Sequence, residues 1–282
     1  MIDLHVHSTF SDGTYSPTEL VEIAKDIGLK AISVTDHDTV DGTSEALLAG
    51  ARAGLQVISG VELSVFLDDI HFHLLGYKFN HQDSRLLGGL SVLQESRKKR
   101  NSKIIANLQA MGLDVSDKEL QAISGNGQTG RPHIARLMVQ KKIVKSIDQA
   151  FALYLKKGKK GYVSRFIYHV EEAITLIHAS GGFVVLAHPV QISRSIDVLD
   201  NLLPRLKKIG LDGVETFYPT QKGKFHRKLR RLAQSCNLFE TGGSDYHGNI
   251  RPGTSLAGHK NHPVPFELLT LMEQYRLINT PN

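Results

Sequence analysis

Cysteine is almost missing from this chain: there is one, Cys236, in 282 residues. No intramolecular disulfide can form and thiolate clusters are excluded, so any bound metal must take nitrogen and oxygen ligands. Tryptophan is absent and aromatic residues amount to 7%, which leaves little surface for stacking bases. No apolar run approaches the roughly 18 residues that a bilayer-spanning helix needs. The first residues also lack a basic stretch followed by an apolar one, and the chain is read as cytoplasmic. Internal repeats and low-complexity stretches are lacking too. What remains is an ordinary globular composition, in which 41% hydrophobic residues can bury a sizeable core. Either one large α/β domain or a barrel carrying a smaller insertion fits this length.

Two features stand out from that background. Histidine is abundant, with 14 residues and no terminal tag to account for them. Charge is segregated: the chain carries +6 overall, yet residues 84–165 alone hold 17 Lys/Arg against 5 Asp/Glu, so the remainder is net negative. This points to an acidic part suited to cations and a basic part suited to anionic ligands. Individual lysines such as Lys98, Lys99, Lys156 and Lys157 read as solvated faces.

The first 80 residues alternate strands and helices. Ile2, Leu4 and Val6 alternate with polar positions in a short strand. Ser16-Pro17-Thr18-Glu19 is a capping box, followed by Leu20, Ile23, Ala24 and Ile27 at helical spacing and closed by Gly28. Residues 31–35 make a second strand and 44–54 a second helix. Val57, Ile58 and Val61 make a third strand, and 71–77 a fourth. From about residue 165 the rhythm resumes, with helices at 170–180 and 196–209, strands at 183–187 and 211–217, then a basic helix and a strand at 238–241. These β/α units, about seven in all, suit a parallel barrel or a doubly wound sheet. Between them Ile104, Ile105, Leu108 and Met111, and again Ile134, Leu137 and Met138, keep helical spacing without a strand. The expected organisation is a discontinuous unit of residues 1–84 and 166–282, with 85–165 as a basic, mostly helical insertion capping the active site.

The chemistry gathers at strand ends. His5 and His7 are two apart on a strand, so both imidazoles share one face and can bind one ion. Asp36-His37-Asp38 follows the second strand and Glu62 the third; Asp36 and Asp38 would also serve as helix caps. His71-Phe72-His73 lies in the fourth strand, His188 ends the fifth, and Asp245 and His247 follow the last. Parallel β/α units would bring these ends to one rim.

The motifs His5-Val6-His7-Ser8, Thr35-Asp36-His37-Asp38, Gly60-Val61-Glu62, Leu186-Ala187-His188-Pro189 and Ser244-Asp245-Tyr246-His247 resemble those of the PHP (polymerase and histidinol phosphatase) superfamily. The match spans nearly the whole chain. The short N-terminus, the helical insertion and Gly130-Arg131-Pro132-His133 are similar to the bacterial branch that contains nucleoside 3′,5′-bisphosphate 5′-phosphatases, also described as 5′-3′ exoribonucleases.

The resemblance implies a distorted (β/α)7 barrel of PHP type with an inserted small helical domain. It also implies three divalent metal ions, most often manganese, with iron or zinc as alternatives. Carried over by motif, His5, His7, Glu62 and Asp245 would hold one ion, Asp12, His37 and His247 a second, and Glu62, His73 and His188 a third, with Glu62 bridging. His73 is preferred to His71, on the same strand face, because it precedes Leu74-Leu75-Gly76. Independently, six imidazoles and three carboxylates suit Mn, Fe(II) or Zn better than Mg or Ca. Clustered dications would acidify a bridging water, so a metal-bridging hydroxide is the expected nucleophile and no separate side-chain nucleophile is needed.

Arg131 and His133, at the start of a helix, are the candidate substrate-binding residues. Arg97 and Arg100 fall on one helical face, which could track the sugar-phosphate backbone of a short single strand but ordinarily means a solvated face, and Phe151, Tyr154 and Tyr162 read as core. The expected activity is hydrolysis of the 5′-phosphate of nucleotides, with nucleoside 3′,5′-bisphosphates, AMP-like compounds or short single-stranded RNA as substrates. One alternative is a histidinol-phosphate phosphatase, against which the basic insertion argues by favouring a ligand with more than one phosphate. Another is a non-catalytic, metal-stabilised nucleic-acid-binding module, in which ligands should have been lost.

Overall fold

The capping box acts as its sequence requires: Ser16 accepts the Glu19 amide while the Glu19 carboxylate takes the Ser16 amide at 2.7 Å. The helix it starts is α1 (Pro17–Asp26), set between β1 (Asp3–Val6) and β2 (Ala31–Val34). The computed structural model describes residues 1–124, 127–251, 253–257 and 263–279. After β2 come α2 (Thr43–Ala53), β3 (Gln56–Val57), β4 (Gly60–Leu67) and β5 (Ile70–Tyr77). The helical stretch follows: α3 (Ser84–Ala110), α4 (Asp117–Ser124), α5 (Arg131–Gln140) and α6 (Ile147–Ala150), which runs into a π-helical turn at Phe151–Leu155. The strand pattern returns with β6 (Tyr168–His169), α7 (Val170–Ala179), β7 (Phe183–Leu186), α8 (Pro189–Ile192) and α9 (Ile196–Ile209). The chain closes with β8 (Gly213–Phe217), α10 (Gly223–Ser235), β9 (Phe239–Gly242) and α11 (Glu267–Asn279).

The architecture is mixed α/β, but the strands do not form one continuous barrel. They fall into a three-stranded sheet, β1-β2-β3, and a six-stranded sheet, β6-β4-β5-β7-β8-β9. Isolated parallel bridges, Val6 with Tyr246 and His37 with Glu62, join the two sheets at the last residue of β1 and just beyond β2. Two expectations change. The third strand is two strands in different sheets, broken at Ile58-Ser59, so Glu62 sits inside an eight-residue strand rather than after a short one. The fourth strand is antiparallel: β5 folds back on β4 through a tight turn at Asp68-Asp69, because only two residues connect them. His73 therefore reaches the rim from mid-strand, opposite Ser64, and not from a C-terminal end.

Strand alternation separates the core from the site. Val61, Leu63 and Val65 of β4, Phe72 and Leu74 of β5, Val184 and Leu186 of β7, and Val214 of β8 pack with helices α3, α7, α9 and α10 in one cluster. The opposite parity carries Glu62, His73 and Glu215 to the other face. Beneath them lies a second cluster that includes Leu4, Leu75, Tyr77 and Val185, capped by Leu268, Leu269 and Met272 of α11.

Among the described residues no strand falls between Tyr77 and Tyr168. A boundary at residue 85 would cut α3, whose first half buries Leu86, Leu90 and Leu93 in the sheet-helix cluster. Its second half buries Ile104, Ile105 and Leu108 in a separate apolar cluster with Leu120, Ile134, Met138 and Leu155.

One glycine shows how closely the two ends of the chain pass. A Cβ on Gly243, after β9, would fall on the His5 backbone and Cβ. Gly243→Ala is expected to destabilise the fold by at least about 1–3 kcal/mol, the usual overpacking cost. Thermal unfolding reads this as a Tm several degrees lower, and an unchanged Tm would show that β1 and β9 are not held so tightly.

Candidate metal centre

Several residues of the site and its surroundings come from short, constrained pieces of backbone. Asp38, His188 and Asp245 follow β2, β7 and β9 and adopt φ values of +56°, +28° and +53°, conformations that cost non-glycine residues on the order of 1–3 kcal/mol each and cluster at functional sites. Two buried carboxylates hold the loops beside them. Asp36 accepts the Ser8 amide at 2.8 Å and both the Ser8 and Ser11 hydroxyls at 2.5 Å. Asp3 accepts the Ser244 amide at 2.9 Å and hydroxyl at 2.6 Å, and the Ala257 amide at 2.7 Å.

Glu62 lies at the centre. Its Oε1 is 2.8 Å from His73 Nδ1, 2.9 Å from His188 Nε2 and 3.5 Å from His5 Nε2. Its Oε2 is 2.9 Å from His37 Nδ1 and 3.2 Å from His7 Nε2. Asp245 Oδ1 stands 3.3 Å from His7 Nε2 and 3.4 Å from His247 Nδ1, and Asp12 Oδ1 3.3 Å from His247 Nε2. All nine expected ligands thus gather in one place. His71 lies outside this cluster, exposed on β5 with its ring 6.3 Å from that of Phe66.

Burial opposes ionisation of Asp12, Glu62 and Asp245, but the surrounding histidines outweigh it and hold all three well below the usual carboxylate range. On His7 burial is in turn outweighed by Asp245 and Glu62, which raise it to about 9, whereas burial prevails on His37 and lowers it to about 4.

The donor set fits a cation. Seven buried atoms of this cluster, His5 Nε2, His7 Nε2, Asp12 Oδ1, His37 Nδ1, Glu62 Oε2, His188 Nδ1 and His247 Nε2, have no hydrogen-bond partner. Unpaired buried polar atoms are costly, and this concentration of them in one cluster suits an electrophile bound among them. Four overlapping groups bring their ligand atoms within 4.8 Å: His7-Asp12-His37-His247, His5-His7-Asp245, His5-Glu62-His188 and His37-Glu62-His73. His7 thus joins Asp12, His37 and His247 as well as His5 and Asp245, so the groups interlock more than separate triads would.

Sequence reasoning missed the layer behind the ligands. Glu215, fully buried, takes His5 Nδ1 at 3.0 Å with one oxygen and the His188 amide at 2.6 Å with the other. The signal was present, since Gly213-Val214-Glu215 repeats the triplet Gly60-Val61-Glu62. Tyr218 donates to Asp245 Oδ2 at 3.1 Å, and Arg251 reaches the same oxygen at 2.6 Å.

The arginine face is not solvated. Arg97 and Arg100 are 8% and 6% exposed. Arg97 and Arg165 both bind Asp38 Oδ2, at 2.5 and 2.7 Å. With Arg131 they wall a cavity of about 380 Å³ whose other side presents Asp12, His37, His73 and His188. Burial, reinforced by Arg97, Arg165 and Arg131, pulls Arg100 down to about 8. Phe151 and Tyr162 also line this space, with Arg131 over their rings at 6.0 and 5.6 Å, while Tyr154 packs against the helical core as expected. His133 does not line the cavity. It is 2% exposed, its Nδ1 accepts the Gly130 amide at 3.0 Å, and burial holds it at about 4, so it fixes the start of α5.

The PHP domain model matches residues 3–164. The 5′-3′ exoribonuclease of Haemophilus influenzae is 34% identical, over 87% of this chain and 89% of its own length. The 3′,5′-nucleoside bisphosphate phosphatase of Chromobacterium violaceum is 32% identical, over 94% of this chain and 93% of its own. A solved Bifidobacterium adolescentis structure, provisionally described as a metal-dependent phosphoesterase, superposes with a TM-score of 0.86 at 27% identity, covering 97% of this chain and 96% of that one. Among the described residues no helix is long and apolar enough to cross a membrane.

Carboxylates that orient metal-binding histidines typically contribute 10–100-fold to affinity. Glu215→Gln should weaken Mn²⁺ binding by about that factor, read by competition with a chelator, and unchanged affinity would assign Glu215 to folding alone.

Proposed function

Because this chain belongs to the PHP domain family of metal-dependent phosphoesterases, we propose that it hydrolyses the 5′-phosphate of nucleoside 3′,5′-bisphosphates and AMP-like nucleotides, and trims short single-stranded RNA from its 5′ end. One observation carries this reading: a single cavity has the metal-ligand cluster on one side and four guanidiniums, Arg97, Arg100, Arg131 and Arg165, on the other. Asp38 is the carboxylate that pairs with two of them. A surplus of positive charge facing a metal cluster suits a ligand with two separated phosphates.

His5, His7, Asp12, His37, Glu62, His73, His188, Asp245 and His247 would hold the ions, with Mn²⁺ the first candidate for this nitrogen and oxygen donor set and Fe²⁺ or Zn²⁺ the alternatives. When bound, such ions supply an acidified water and positive charge for the phosphoryl oxygens. The chain's own residues do the rest. Glu62 and Asp245 stay anionic and fix the imidazoles around them. The arginine wall holds the phosphate that is not cleaved, and Arg131, steadied by Phe151 and Tyr162, supplies its donors without a carboxylate competitor among the described residues. Asp38 clamps Arg97 and Arg165 to the loop that carries His37, so the two phosphate positions keep a fixed spacing. Histidinol phosphate, whose ammonium would face this wall, is disfavoured.

Loss of one charge-assisted contact of this kind costs about 1.5–3 kcal/mol, or roughly 10–100-fold. In Mn²⁺-reconstituted enzyme Arg131→Ala should lower kcat/KM for a nucleoside 3′,5′-bisphosphate by about that factor and for AMP by much less. An equal loss on both substrates would remove Arg131 from the second-phosphate site, and preferential turnover of histidinol phosphate by the unaltered enzyme would overturn the substrate assignment.

A further inference from the structure

Outside the helical insertion the chain is net negative, yet residues 218–239 contain six Lys/Arg and no Asp or Glu. That stretch is α10 with its leading loop. Lys224, Arg227, Lys228 and Arg231 are exposed, and their i, i+3, i+4, i+7 spacing lines them along one helix face. Among the described residues none of the four forms an ion pair with a carboxylate. Arg230, by contrast, turns inward to Glu240 at 2.7 Å. The other side of α10, through Leu229, Leu232 and Ala233, is buried in the main core.

The loop that leads into the stripe reaches the metal centre. The loop between β8 and α10 carries Tyr218, which bonds Asp245, and Gln221, which bonds the Glu215 and Thr216 carbonyls and the Val190 amide. From there α10 runs away along the outside of the sheet for about 20 Å. A row of unpaired cations leading out from a phosphate-processing centre is complementary to a phosphodiester chain whose 5′ end lies in that centre.

We propose that the exposed face of α10 guides the sugar-phosphate backbone of single-stranded RNA whose 5′ end occupies the cavity. The inference rests on the RNA-trimming part of the proposed function. The face has no aromatic side chains for stacking, so it engages phosphates without reading sequence. An anionic membrane would be attracted by the same charges, but the apolar side of α10 that would have to enter the lipid is packed into the core.

The test is the charge-neutral variant Lys224→Gln/Arg227→Gln/Lys228→Gln/Arg231→Gln, in which all four changes are at exposed positions. Turnover of a nucleoside 3′,5′-bisphosphate should stay within about twofold of the unaltered enzyme. KM for a 5′-phosphorylated oligoribonucleotide of about ten residues should rise at least tenfold. The slope of log affinity against log salt, measured by fluorescence anisotropy, should fall in magnitude by up to about 3, since each phosphate contact on a single strand contributes about 0.7. A Lys224→Arg/Lys228→Arg variant should keep the original slope. Equal losses on mononucleotide and oligonucleotide, or an unchanged salt slope, overturn the proposal. Should the enzyme cleave no oligonucleotide, the RNA-trimming reading fails, while the anisotropy slope still decides whether α10 binds the chain. Stripe-dependent binding to phosphatidylglycerol vesicles with an unchanged oligonucleotide slope would assign the face to a membrane and likewise overturn it.

Discussion

Everything in this molecule is arranged around one buried carboxylate. Glu62 is 1% exposed and lies within 3.5 Å of five imidazoles, drawn from β1, β5 and the segments after β1, β2 and β7. An ionised carboxylate in such a place is tenable only if opposite charge surrounds it. Protonated histidines can supply part of that charge, but seven buried nitrogen and oxygen atoms of the cluster still lack a well-aligned hydrogen bond. Divalent cations would satisfy both needs at once, at the place where the two sheets meet. The bridges Val6-Tyr246 and His37-Glu62 lie in the same segments as the donors.

A second constraint ties the basic helical stretch between β5 and β6 to this centre. Asp38 is fully buried, adjoins His37 in sequence, and binds Arg97 from α3 and Arg165 from the segment before β6. Burial alone would raise its pKa, but the two guanidiniums and His37 drive it far below the ordinary value. The middle of α3 and the segment before β6 are therefore both anchored to the loop that carries a metal-ligand candidate. The same arginines that hold this loop also face the cavity, so structural and substrate-directed charge are parts of one network, offset by a single carboxylate.

Much of this was legible in the residues. The alternation of Ile2, Leu4 and Val6, the capping box at Ser16 and the apolar run from Phe183 gave elements close to those observed, because short-range periodicity and capping determine them locally. The antiparallel return of β5 was not legible. It depends on a tight turn at Asp68-Asp69, and the apolar content of β5 is the same in either direction. The burial of Arg97 and Arg100 was hidden for a different reason: helical spacing shows that they share a face but not that Asp38, some sixty residues earlier, lies opposite. Glu215 could have been found, since its Gly-Val-Glu triplet repeats the one around Glu62. His133, expected at the substrate, is buried and closes the first turn of α5, a role that its position three residues after Gly130 already allowed.

The central claim is that the buried lone pairs around Glu62 exist to hold divalent metal. Its most direct test is the metal content, by mass spectrometry, of the Mn²⁺-reconstituted protein and of Glu62→Gln after gel filtration, with circular dichroism to confirm that both are folded. The account predicts more than one tightly held divalent ion per chain in the unaltered protein and the loss of more than one in the variant. A folded protein that retains no metal, or a Glu62→Gln variant that keeps its full complement, would contradict it.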